Sequence, residues 1–124
     1  MTVDPVLVEA TDDDYCYLTT RGRVTGRSHE IEIWFAREGS TLYLMAGGRD
    51  GSDWVRNVRA DPAVTVRVRD VTFVATGRVL APDTDEDALA RRIVTDKYQP
   101  RFHDPLDDWR VRSLPVALEV TGRA

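Results

Sequence analysis

Over residues 29–36 the chain alternates: Ile31, Ile33 and Phe35 fall on one face, and Glu30, Glu32 and Trp34 on the other. A period of two over that length predicts a β-strand. Residues 15–20, rich in aromatics and Thr, read as the strand before it, with 22–28 as the turn between. Glu38-Gly39-Ser40 is a hairpin turn into a third strand over 41–46. Residues 47–51 form a loop with three glycines, after which Ser52 opens a short helix striped by Trp54, Val55 and Val58. A serine suits that N-cap because its hydroxyl accepts from an orphan backbone N–H. Pro62 pushes its predecessor out of helical geometry, so the helix is predicted to stop near Ala60. Strands over 64–69 and 71–80 follow, with a turn near Asp70 and Gly77 as a candidate bulge. Over 83–98 the acids Asp83, Asp85, Glu86 and Asp87 precede the bases Arg91, Arg92 and Lys97. That order favours a helix through its dipole, and Leu89 and Ile93 mark the expected buried face. Residues 99–108 read as irregular and 114–121 as the last strand. Residues 1–14 read as an acidic leader, with Asp12-Asp13-Asp14 a solvated entry to the first strand.

The element order is β-β-β-α-β-β-α-β, dominated by hairpins. It predicts a mainly β fold: a six-stranded, mostly antiparallel barrel with two flanking helices, forming a single domain over 1–124. At 124 residues such a core needs no disulfide or metal. Net charge is −4, which does not favour nucleic acid as a partner. The lone cysteine, Cys16, lies in a predicted strand between tyrosines and is expected to be a small buried hydrophobe in a reducing, cytoplasmic setting. No basic segment followed by an apolar stretch opens the chain, so no secretion signal is expected. The longest apolar run, 42–46, is far short of the roughly 20 residues of a membrane span.

No catalytic constellation is visible among the two histidines and one cysteine. His29 and Glu32 are ordinary ligand types, but three residues apart on a strand they face opposite ways, so no metal is expected there. Asp104, Asp107 and Asp108 lack the spacing of a calcium loop. Any chemistry is therefore expected to belong to a cofactor. Two segments suit a phosphorylated one. In the first, Arg23 and Arg27 flank Val24-Thr25-Gly26: glycine lets the backbone approach a ligand and arginine gives planar contact to phosphate or carboxylate. Read alone, this is better explained as a solvated hairpin, because charged turns are common. In the second, Gly47-Gly48-Arg49-Asp50-Gly51-Ser52 leads into a helix N-terminus, which presents bare amides to an anion. Read alone, this is equally a plain connection.

These two segments, with Leu18-Thr19-Thr20, Ile33-Trp34-Phe35, Ala46-Gly47-Gly48, Trp54, Asn57, Ala60-Asp61-Pro62 and Val64-Thr65-Val66, resemble the deazaflavin-dependent nitroreductase and quinone reductase family of actinobacteria. The match is close over 15–68 and resumes at Trp109 and at Leu114-Pro115-Val116. The resemblance implies a split β-barrel that binds coenzyme F420 and reduces a small electrophile such as a quinone, nitro compound or activated alkene. It implies that the turn of Arg23, Val24, Thr25, Gly26 and Arg27 meets the acidic part of the cofactor. Ala46, Gly47, Gly48, Arg49, Trp54 and Asn57 would hold the phosphate side, and Glu32, Ile33 and Trp34 would line the ring. The chain departs from the family pattern at Val24, where a lysine is usual. It departs again at Ile31-Glu32, in place of Asn-Pro, and at Gly48, with Arg49 as the stand-in for a lysine. The carboxylate of Glu32 makes FMN the alternative cofactor, and a non-enzymatic flavin- or haem-binding module the alternative role. Tyr98 or His103 stands in for the paired tyrosines that face the substrate in some relatives. A homodimer is expected from the pairing habit of small barrels.

Overall fold

The computed structural model describes residues 2–124. Seven strands make one antiparallel sheet: β1 (Cys16–Arg21), β2 (Ser28–Ile33), β3 (Ala36–Glu38), β4 (Thr41–Ala46), β5 (Ala63–Val68), β6 (Val71–Val79) and β7 (Leu114–Arg123). The helices are α1 (Pro5–Glu9), α2 (Asp53–Ala60), α3 (Asp85–Tyr98) and α4 (Asp107–Arg112). Strand order is β2-β1-β5-β6-β7-β4-β3. The two edge strands, β2 and β3, are thus neighbours in sequence, separated only by Trp34 and Phe35. Three Cα steps reach about 11 Å at most. The sheet must therefore curl until its edges nearly meet, which gives the split barrel.

The strand predicted over 29–36 is broken at this seam, so the sheet has seven strands rather than six. The physical cause is that Phe35 takes its backbone partners from α3 instead of from a neighbouring strand. Its N–H donates to the Tyr98 hydroxyl oxygen (3.0 Å), and its carbonyl accepts from Lys97 Nζ (2.8 Å). The Tyr98 hydroxyl in turn donates to the Asp14 carbonyl (2.7 Å), with the Phe35 carbonyl at 3.1 Å.

Apolar side chains fill two layers. Inside the curl lie Leu18, Leu44, Val66, Phe73, Val116 and Leu118. On the outer face of β4 and β7, α3 packs Ala90, Val94 and Tyr98 against Tyr43, Met45 and Ala117. Strand β4 is buried on both faces because it serves both layers. Cys16 is fully buried, and burial pushes its thiol up to about 12, as suits a small hydrophobe.

Several expectations are corrected. The leader folds: Asp4 caps α1 by accepting from the Val6 N–H (3.0 Å), and Leu7 and Ala10 enter the barrel core. The acidic run is paired rather than merely solvated, Asp13 with Arg69 (2.9 Å) and Asp14 with Arg101 (2.6 Å). Gly77 is not the bulge, which falls between Val74 and Ala75. Gly77 instead gives room to α2, since a Cβ there would lie 2.8 Å from Val58 Cγ1. Helix α3 starts at Asp85 with Thr84 as its cap, and its deepest positions are Ala90, Val94 and Tyr98 rather than the half-buried Leu89 and Ile93. Residues 99–108 are not wholly irregular: a 3-10 turn covers Gln99–Arg101 and α4 begins at Asp107.

Tyr98→Phe is expected to cost about 1–3 kcal/mol, because it strands the buried Phe35 N–H and removes the donor to the Asp14 carbonyl; urea denaturation with an unchanged m-value checks it. The Glu86 carboxylate accepts from Arg78 (2.5 and 2.7 Å) and from the Tyr43 hydroxyl (2.7 Å). The Arg78 hydrogen bonds hold its carboxyl down to about 2, against burial and with help from Tyr43. A depressed folded-state value stabilises above the unfolded value of 4.5 and is lost as pH falls from there towards 2. Glu86→Gln should flatten the acid side of the stability–pH curve, by about 1–2 kcal/mol once solvent screening is allowed for.

Candidate functional site

The arginine–glycine turn joins β1 to β2. Gly22 N–H donates to the Arg27 carbonyl (2.7 Å) and Gly26 N–H to the Gly22 carbonyl (2.8 Å). Gly26 has φ +75°, which calls for glycine, and a Cβ on Gly22 would press at 3.1 Å on the Arg27 carbonyl oxygen. Asn57 on α2 fastens this turn. Its Oδ1 accepts from the Arg23 N–H (3.2 Å) and from Arg23 Nη1 (2.9 Å), while its Nδ2 donates to Thr20 Oγ1 (3.3 Å). Asn57 and Thr20 are both buried. Arg23 Nη2 also reaches Asp53 at 3.4 Å. The arginine–glycine turn and the start of α2 thus meet across one cleft of about 650 Å³, walled by Arg23, Arg27, Ile31, Ser52, Trp54 and Asn57; of the glycine loop only its last residue, Ser52, reaches it.

The donors of this cleft fit an anionic group. Ser52 stands at the N-cap of α2 but makes no side-chain capping bond, which leaves the first-turn amides without a side-chain acceptor. Among the described residues the Arg27 guanidinium has no hydrogen bond or ion pair. The cleft's carboxylates are already engaged, Asp53 with Arg23 and Glu30 with Arg67 (3.7 Å). Gly48 comes so close to Ser52 that a Cβ would lie 2.7 Å from its hydroxyl oxygen.

A second cleft, about 520 Å³, adjoins the first along β2: Ile31 lines the one, and Glu32, Ile33 and Trp34 line the other. Its remaining walls include Met45, Phe102 and Trp109. Trp34 stacks flat on Tyr98 (centroids 4.2 Å apart, planes 1° apart) and meets Trp109 and Phe102 edge-on at 5.6 and 5.8 Å. Glu32 stands at the rim, where it accepts from the Tyr17 hydroxyl (2.8 Å), and that bond raises the Tyr17 pKa.

The predicted residues therefore divide. Arg23, Val24, Thr25, Arg27, Trp54 and Asn57 share the polar cleft, with Gly26 shaping its turn. Glu32, Ile33 and Trp34 belong to the apolar one. Gly47 lies beside the Trp109 indole, where a Cβ would be 3.6 Å from Nε1. Ala46 is buried in the core and lines neither. Arg49 does not join the polar cleft: its Nη1 donates to the Arg112 carbonyl (2.5 Å) beside the start of α3. Tyr98 is sealed in the core with its hydroxyl committed to backbone, and burial raises its pKa, so it is unsuited to donating a proton to a ligand. His103 is exposed beside Phe102 and lines neither cleft. Sequence reasoning passed over Thr20, Met45, Phe102 and Leu106, and gave Trp109 no role. The one available signal was the spacing of Leu106 and Trp109, a single turn of a short helix behind two prolines. Among the described residues, no group of three His, Cys, Asp or Glu side chains is placed to hold a metal ion, and no helix is long and apolar enough to cross a membrane.

The profile of the F420H(2)-dependent quinone reductase family matches residues 6–121. The chain belongs to that family. It is accordingly an oxidoreductase that works with coenzyme F420. No curated protein matches it. Among solved structures it is similar to an F420 reductase (21% identity, 98% of this chain and 97% of that one, TM-score 0.68). It is similar as well to an F420-H2-dependent reductase (22%, 88% and 95%, 0.67). A third likeness is to the haem storage protein HutZ of Vibrio cholerae (15%, 99% and 96%, 0.67). At these identities the structures establish the shared split-barrel fold.

Asn57→Ala removes the acceptor that fastens the turn. The Arg23 amide, hydrogen-bonded in the native protein, is expected to lose protection in hydrogen exchange, with a stability loss of about 1–3 kcal/mol.

Proposed function

We propose that this F420-dependent oxidoreductase reduces a small planar electrophile, namely a quinone, nitroaromatic or activated alkene, seated in the apolar cleft. The observation that carries the reading is the adjoining pair of clefts along β2, one offering the unpaired Arg27 guanidinium, Arg23 and the first-turn amides of α2, and one walled by aromatic rings. Arg23, Arg27 and the first-turn amides of α2 would hold the phosphate and carboxylate end of coenzyme F420. Bound in its reduced form, the coenzyme supplies a hydride. Trp34, kept flat by Tyr98, orients the acceptor, and Trp109 and Phe102 exclude water from it. His103, exposed beside the cleft wall, is the remaining side-chain candidate for holding the accompanying proton. Strand β2 is a sheet edge with an exposed face, which gives a second copy of the chain a place to pair.

Mixing the protein with reduced coenzyme F420 and menadione should restore the absorbance of oxidised deazaflavin. Unchanged absorbance across quinone, nitro and alkene acceptors would remove this reading, and tight coenzyme binding without turnover would instead favour a storage role. Arg27→Ala should weaken coenzyme binding by about 1–3 kcal/mol. Its melting temperature should not move, because the guanidinium has no internal partner. Fluorescence titration with coenzyme F420 and FMN in parallel reads both the loss and the cofactor preference.

A further inference from the structure

The last four carbonyls of a helix have no partner within it, and they form the negative end of its dipole. In α4 all four are satisfied, three of them by guanidinium groups brought in from elsewhere. Arg91 on α3 is oriented by Asp87, whose carboxylate oxygens both lie 3.2 Å from its Nε. Its Nη1 then donates to the Arg110 carbonyl and to the Val111 carbonyl (3.1 Å). Arg49, in the loop before α2, donates to the Arg112 carbonyl (2.5 Å). The Trp109 carbonyl accepts from the Ser113 N–H (2.9 Å). Asp87 is itself buried, and its N–H donates to the Thr84 cap (3.1 Å), so the clasp is anchored in the start of α3.

A helix of six residues has no standing of its own in water, so its place is set by what grips it. Helix α4 carries Trp109, which meets Trp34 edge-on across the apolar cleft. Arg49 reaches α4 from a backbone with a φ of +52°, which is costly for a residue with a side chain.

We propose that Arg91 and Arg49 are positioning residues for the electrophile: a two-arginine clasp on the carbonyl end of α4 that sets Trp109 against Trp34. The effect on reaction rests on the reading that the apolar cleft takes the acceptor, whereas the effect on Trp109 does not.

The test compares Arg91→Ala and Arg49→Ala with Arg92→Ala, an exposed arginine beside Arg91 on α3 that makes no hydrogen bond or ion pair among the described residues. In coenzyme-free protein, near-ultraviolet circular dichroism reads the coupling of Trp34 with Trp109. Both clasp variants should lose that signal while keeping their far-ultraviolet spectrum, and Arg92→Ala should keep both. In turnover, the clasp variants should raise acceptor KM roughly tenfold, with kcat and coenzyme Kd held within about twofold. Millimolar guanidinium should restore both the dichroism and KM in Arg91→Ala, which a loss of general stability would not allow. If Arg91→Ala fails to fold, Arg49→Ala, altered at an exposed loop, carries the same readouts. Unchanged Trp coupling and unchanged KM in the clasp variants would overturn the proposal. If the native enzyme turns over no acceptor, the functional reading falls and the dichroism alone still decides the clasp.

Discussion

The fold depends on how two backbone groups are satisfied at one residue. Where the sheet closes on itself, Phe35 can pair with neither edge, and a bare N–H and C=O in that dry seam would each cost a lost hydrogen bond. Tyr98 and Lys97, successive residues at the end of α3, supply the missing acceptor and donor respectively. The same tyrosine ties in the segment before β1 through Asp14. One side chain therefore joins the N-terminal segment, the barrel seam and the long helix, and its ring supports Trp34. The closure of the barrel and the flatness of the aromatic cleft have a common cause.

From that seam the two ends of the site diverge along β2. Towards the arginine–glycine turn the neighbours are α2 and its unpaired amides; towards Trp34 they are α3, α4 and their aromatic residues. A chain of net charge −4 can still offer an anion a welcoming surface, because attraction is local and several carboxylates elsewhere are paired with their own arginines. Arg27 is left over from that matching. Arg49 is not, and its part in holding α4 shows that arginine beside glycine does not by itself mark a ligand site.

Much of this was legible along the chain. Six strand segments were read close to their observed places, Pro62 ended α2, and the order of charges placed α3 to within two residues. The turn of Arg23 to Arg27, the helix opening at Ser52, Trp54, Asn57 and Trp34 all belong to the clefts. What misled was local pattern where tertiary partners intervened. The run 29–36 alternates without interruption, yet the seam cuts it because α3 takes over Phe35. Gly77 looked like a bulge and is instead the contact point for Val58. Tyr98 looked like a substrate residue and is the lock of the core.

The sequence by itself determined most of the strands, the two helices α2 and α3, and that positive charge, glycine and a helix start occur close together. Periodicity, capping and turn chemistry act over a few residues, so they can be read one segment at a time. Only the tertiary structure decided that β2 and β3 lie on opposite sheet edges, that Asn57 fastens Arg23, and that Trp109 faces Trp34. Those contacts join residues 34 to 75 positions apart, and closing loops of that length is settled by the packing of the whole barrel rather than by local preference.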